Sequence, residues 1–131
     1  MILILCAILV VGPLRPDPAL TPGAVRALSL QTICTTRWGV DRRRVSDATR
    51  REVFRRYGVP WAKRALYEVD HLVPRSEGGA DLVANLWPQP WDGPLGAHAK
   101  DRVEGRLHRD VCAGRLPLET AREQMRAWGT P

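Results

Sequence analysis

An acid and a base stand side by side where an apolar segment ends. Residues 67–74 read YEVDHLVP, with Asp70 and His71 adjacent. Neighbouring side chains of a strand point to opposite faces. Asp70 and His71 can therefore serve one reacting centre only where the strand stops and bends. Leu72, Val73 and Pro74 followed by Gly78 and Gly79 supply such a bend, and Asn85 returns from a second extended segment. The chain is thus constrained to bring two extended segments together around a glycine turn, with the acid and base at the join.

The flanking sequence supplies helices. Residues 46–57 predict a helix that Ser46 or Asp47 can cap and that Gly58 and Pro60 stop; Val53, Phe54 and Tyr57 share one face. Residues 67–73 predict a strand. Residues 82–87 predict a second strand or extended segment, and residues 88–94 a Pro-rich loop. Residues 97–111 predict a helix with Val103, Leu107 and Val111 on one side, followed by Gly114. Residues 118–128 predict a final helix with Leu118, Ala121, Met125 and Trp128 as its buried stripe. Residues 25–45 read as short loops pinned by Ile33 and Cys34. The expected fold class is α+β, a small, mostly helical domain around a β-β-α centre at about residues 67–112.

The N-terminus reads differently from the rest. Residues 1–11 are an unbroken apolar run, short for a membrane span and suited to a signal peptide. Residues 1–12 are expected to be such a leader, giving a secreted or periplasmic protein, or one anchored to the membrane by an uncleaved leader. Residues 13–23 hold four prolines and read as an extended linker, and residues 24–131 as the domain. An exported chain favours a Cys34–Cys112 disulfide. No Cys-x-x-Cys occurs, so zinc-finger and redox spacings are absent.

Charge points to the partner. The formal net charge is +6, and all but Lys63 and Lys100 of the 20 basic residues are Arg. Residues 24–66 carry 11 basic against 3 acidic residues, whereas residues 67–131 carry 8 against 10. A basic arm ahead of an acid-bearing centre suits a protein that grips phosphates. Arg42–Arg44 and the Arg-rich helix with Arg50 and Arg51 are the expected phosphate contacts, with Lys100 and Arg102 beside them. Trp87 and Trp91 can stack on bases or act as buried anchors. Asp81 reads as a turn or cap residue.

Phosphodiester hydrolysis needs an activated water and neutralisation of the charge that builds on phosphorus. His71 can take a proton near neutral pH, and Asp70 offers a hard oxygen ligand for Mg²⁺ or Mn²⁺. The order Asp70-His71-Leu72-Val73-Pro74, Gly78-Gly79, Asn85-Leu86 resembles the HNH nuclease motif of the His-Me finger superfamily. The flanks are similar to those of small bacterial HNH-like proteins at residues 21–25, Ile33-Cys34, residues 57–59, 85–88 and 100–104, Leu107-His108 and Val111-Cys112. The resemblance spans about residues 18–128 and is most specific at 67–112.

That resemblance implies a ββα-metal core, with Asp70 as metal ligand, His71 as general base and Asn85 holding the base and its loop. The family's last histidine comes from the helix. Here either His98, or the stripe of Asp101, Glu104 and His108, could complete the site. One divalent ion is implied, Mg²⁺ or Mn²⁺ first and Zn²⁺ or Ni²⁺ next. The expected activity is a metal-dependent endonuclease on nucleic acid, DNA favoured, with low sequence specificity. The alternatives are an exported, non-catalytic nucleic-acid-binding module on the same fold, and an envelope protein whose Arg face meets anionic polymers. No small-molecule cofactor and no oligomer are implied, and the membrane is involved only through the leader.

Overall fold

The computed structural model describes residues 13–131, so the expected leader lies outside the described residues. The fold is mixed helix and strand: α1 (Leu30–Thr35), α2 (Asp47–Arg56), β1 (Tyr67–His71), β2 (Leu86–Pro90), α3 (Ala97–Cys112) and α4 (Leu118–Arg126). Short 3₁₀ turns occupy Trp61–Leu66, Arg75–Glu77 and Val83–Asn85. Among the described residues no helix is long and apolar enough to cross a membrane.

β1 and β2 form an antiparallel pair, with Asp70 opposite Trp87 and His71 opposite Leu86. The second strand starts later than expected. Residues 83–85 turn, and the strand runs on through Pro88 and Pro90, where the sequence predicts a loop. The pattern of hydrogen bonds explains how. The Leu72 amide donates to the Asn85 carbonyl at 2.8 Å. In this register the bonded pairs are then Asp70–Trp87 and Glu68–Gln89, while Pro88 and Pro90 fall at positions whose nitrogens face away from β1. Proline, lacking an N–H, is tolerated there on an edge strand.

α2 is the helix that its sequence predicts. The Ser46 hydroxyl accepts from the Thr49 amide at 3.1 Å and caps it. Phe54 packs edge-on against Trp61 and Tyr67, with centroids 5.2 and 6.0 Å away. α3 and α4 bury their predicted stripes against each other: Leu107, Val111, Ala121 and Met125 gather with Val73 into one cluster. The Trp128 indole donates to the Leu95 carbonyl at 3.1 Å and closes the far end.

The Pro-rich segment does not behave as a free linker. Thr21 is fully buried, and its hydroxyl meets the Tyr57 hydroxyl at 2.6 Å and donates to the Leu86 carbonyl at 3.0 Å. The Gly23 and Ala24 amides donate to the Ala84 carbonyl, and Val25 bridges Gly79. Residues 17–26 thus cover the turn between β1 and β2. Four prolines can be stiff spacers or, as here, a pre-extended strap whose few amides find partners.

Cys34 of α1 and Cys112 of α3 form a disulfide across 78 residues of sequence. It ties α1, a short helix where loops had been expected, to the end of α3. Loop closure of this length stabilises by about 4 kcal/mol on the chain-entropy model. Denaturant unfolding with and without reductant should therefore differ by about that amount. Coincident transitions would show that the disulfide carries no such stabilisation.

Candidate active site

β1 ends at His71, and the chain then turns through Pro74 and the Arg75–Glu77 turn before meeting glycines. Gly78 takes φ +84°, a conformation that L side chains rarely adopt. Gly79 has a different reason: a Cβ there would lie 1.8 Å from the Val73 carbonyl oxygen and 2.8 Å from Asn85 Nδ2. The turn is drawn tightly onto its own base, and only hydrogen at Gly79 permits it.

Asn85 is what draws it in. Its side chain is fully buried. Oδ1 accepts from the Val73 amide at 2.9 Å, and Nδ2 donates to the Val73 and Ala80 carbonyls at 2.9 and 3.1 Å. Asn85 thus holds the loop and makes no bond to the His71 ring. It is a positioning residue for the backbone.

The ring is held by Asp81. His71 Nε2 lies 2.6 Å from Asp81 Oδ1. A carboxylate accepts, so Nε2 carries the proton and Nδ1 is left as the basic nitrogen. Burial pushes the His71 pKa down to about 4, the Arg43 guanidinium adds to this, and the bond to Asp81 opposes it. The imidazole is therefore neutral near pH 7, as a general base must be. Burial works against the charge of Asp81, but the Arg44 amide, His71 and Arg75 outweigh it and lower its pKa. The Arg44 amide donates to Asp81 Oδ2 at 2.9 Å, so the carboxylate that orients the base also anchors the Arg42–Arg44 segment. Nothing in composition singled out Asp81; its one signal is an acid just past the glycine turn that follows His71.

Asp70 and His71 leave β1 on opposite faces, yet both line one open cleft of about 310 Å³ with Trp38, Arg43, Arg75 and Glu104. The strand end makes this possible. Arg43 is exposed at the rim, where its guanidinium donates to the Val69 carbonyl. Arg75 is occupied by Asp41 and by Asp81 at 3.2 Å.

Lys100 had been expected to contact phosphate from an exposed face; instead it is 0% exposed. Nζ donates to Asp70 Oδ2 at 2.8 Å, to the His71 carbonyl at 2.6 Å and to Glu104 Oε1. Burial disfavours its charge, but Asp70 and Glu104 outweigh that and raise its pKa. Burial raises the pKa of Glu104 despite Lys100, and burial then Asp70 raise that of Asp101.

The histidines considered as further metal ligands lie elsewhere. His98 is exposed, with Nδ1 3.1 Å from Asp92. His108 Nδ1 donates to the Ser76 carbonyl at 3.0 Å and pins the turn, with Nε2 3.9 Å from Cys112 Sγ. Neither lines the cleft of Asp70 and His71. Among the described residues no three His, Cys, Asp or Glu side chains are grouped to hold a metal ion. With Lys100 bonded to both Asp70 and Glu104, this donor set does not fit a divalent ion unless the ammonium is displaced.

The remaining predicted contacts divide. Arg102 is exposed on α3. Arg50 lines a second pocket with Phe54, Trp61, Arg64, Glu68 and Trp91, next to the cleft through the shared Arg43. Arg51 stacks over Trp61, 4.5 Å from the ring centroid. Trp87 is fully buried and serves as an anchor, whereas Trp91 is 38% exposed and donates to the Ala65 carbonyl at 3.1 Å. No family model matches the chain, and no curated protein or solved structure matches it.

Two measurements test this geometry. Replacing Lys100 by Met leaves two largely buried carboxylates unpaired and should cost about 3 kcal/mol in denaturant unfolding; an unchanged midpoint would contradict the bonding described. His71, with a folded pKa near 4 against 6.5 unfolded, is neutral in the fold and takes up a proton on unfolding between those values. Its contribution is complete above pH 6.5 and is lost as pH falls toward 4. Wild type should lose about 1–3 kcal/mol more than His71→Gln over that window. Parallel pH profiles for the two would refute a buried neutral imidazole.

Proposed function

We propose that this chain is an HNH-type nuclease that hydrolyses phosphodiester bonds of nucleic acid, DNA favoured, with His71 as the general base. The observation that carries the reading is the His71–Asp81 pair at the cleft: a neutral imidazole with one nitrogen held by a carboxylate and the other free to accept a proton. The β1–β2–α3 order, with acid and base at the end of β1, is what a ββα nuclease core requires.

In this mechanism Nδ1 of His71 takes a proton from water, and the hydroxide oxygen bonds to phosphorus while the bond to the leaving sugar oxygen breaks and that oxygen takes a proton from solvent. Arg43 at the rim meets the phosphate, where a guanidinium can pair two oxygens at once. Asp81 fixes the ring and the Arg42–Arg44 segment together, so base and phosphate grip move as one unit. Asn85 and Gly79 hold the loop on which this depends. Arg50 and Arg51 add salt-sensitive backbone contacts without reading sequence.

A second reading is a nucleic-acid-binding module that does not cleave. The engagement of Asp70 by Lys100 favours it, because an ammonium already occupies one of the two oxygens a metal ion would use.

Supercoiled plasmid incubated with oxidised protein, with Mg²⁺, Mn²⁺ or EDTA, separates the two. Under the nuclease reading cleavage is abolished by His71→Ala and falls about tenfold to a hundredfold in Asp81→Asn. Arg43→Ala should weaken binding and lower its salt dependence by about one phosphate contact. Plasmid that is retarded on a gel but stays intact in every condition would leave the binding module.

A further inference from the structure

Asp70 and Glu104 are oxygen donors of the kind that hold divalent cations, yet a cation already lies between them. Lys100 sits one helical turn before Glu104 on α3 and reaches across to β1. Its ammonium has three hydrogens, and each has an acceptor: Asp70 Oδ2, the His71 carbonyl and Glu104 Oε1. Two carboxylates and a carbonyl are also the ligand types a hard divalent ion takes. The side chain has no exposure, while its two carboxylate partners are only 15% and 18% exposed.

Further carboxylates surround this group. Asp101 lies on the same helix, and Glu77 is fully buried with neither oxygen partnered. Burial and then Glu104 push the Glu77 pKa up to about 7, against Lys100 and Arg122, so Lys100 and Arg122 are the cations that favour its charged form. Take the ammonium away and the carboxylates are left with an unmet demand for a cation. With it present, an incoming ion faces like charge within a few ångströms and finds one oxygen of each carboxylate already bonded.

We propose that Lys100 is the resident cation of the Asp70–Glu104 pair. Its ammonium holds the place of a divalent ion, and the pair becomes a divalent-cation site only when that ammonium is removed. Lys100 is too deeply buried to touch phosphate, so its role is to neutralise and position Asp70 beside His71. The catalytic consequence rests on the nuclease reading: hydrolysis by His71 and Arg43 that persists in EDTA. The cation-binding statement stands without it.

The test is a Mn²⁺ titration of the full, oxidised chain, followed by calorimetry and by thermal melting. Wild type, Lys100→Met and Lys100→Met/Asp70→Asn are compared. Wild type should show no site tighter than about 1 mM. Lys100→Met should bind one Mn²⁺ by about a hundredfold or more tighter, and Asp70→Asn should reverse this. Its melting temperature should rise with Mn²⁺ while that of wild type does not. If Lys100→Met is unfolded without metal, folding on addition of Mn²⁺, read by circular dichroism, is the same supporting result. A Lys100→Met variant that ignores Mn²⁺, folded or not, overturns the proposal. So does wild type that binds Mn²⁺ tightly at a site lost in the Lys100→Met/Asp70→Asn double variant. Absence of plasmid cleavage in all conditions would remove the nuclease reading, while the titration would still decide the role of Lys100.

Discussion

A buried ammonium must be satisfied on every hydrogen, and Lys100 meets that demand by reaching from α3 to the last residues of β1. Two of its acceptors, Asp70 and the His71 carbonyl, belong to the strand end that carries the acid and base. The third, Glu104, belongs to its own helix. The contact therefore sets where α3 lies relative to the cleft. It also couples the electrostatics of Asp70 to the backbone that carries His71. Remove it and two carboxylates face each other in a poorly solvated place, which is why breaking such a group costs more than its net contribution.

The rest of the site is built by polar groups working on backbone. Asn85 takes both backbone groups of Val73 and one of Ala80, and so keeps the turn after β1 closed onto the start of β2. Gly79 permits that closure because the Val73 carbonyl occupies the space a Cβ would need. Asp81, just beyond, then stands within reach of the ring of His71 and of the Arg44 amide. One short loop thus sets the tautomer of His71 and anchors the backbone of the Arg42–Arg44 segment. The disulfide and the α3–α4 cluster carry the packing that such a small chain needs beneath this loop.

Much of this was legible in the sequence because the signals are local. Ser46 with Val53 and Phe54 specifies α2 by capping and periodicity. Val103, Leu107 and Val111 specify α3, and Ala121 and Met125 specify α4. The adjacency of Asp70 and His71 before a glycine turn marked the cleft, and the disulfide followed from cysteine usage. What escaped were the partners. Pro88 and Pro90 read as loop because local rules cannot tell which nitrogens face an absent neighbour. The Pro-rich strap read as linker because its acceptors, the carbonyls of Ala84 and Leu86, lie some sixty residues away.

Residue type and spacing by themselves determined α2, β1, α3 and α4, the adjacent Asp70 and His71 of the cleft, and the basic character of the arm before them. Only the tertiary structure decided which charge meets which. Lys100 looked like a phosphate contact and is a buried counter-ion; Asp81 looked like a turn residue and holds the His71 ring; His98 and His108 looked like ligands and bond elsewhere. The physical reason is range. Helix caps, strand alternation and glycine turns act over a few residues and are written in neighbours along the chain. Ion pairs and buried hydrogen bonds depend on distances of three ångströms between groups that only the packed chain brings together.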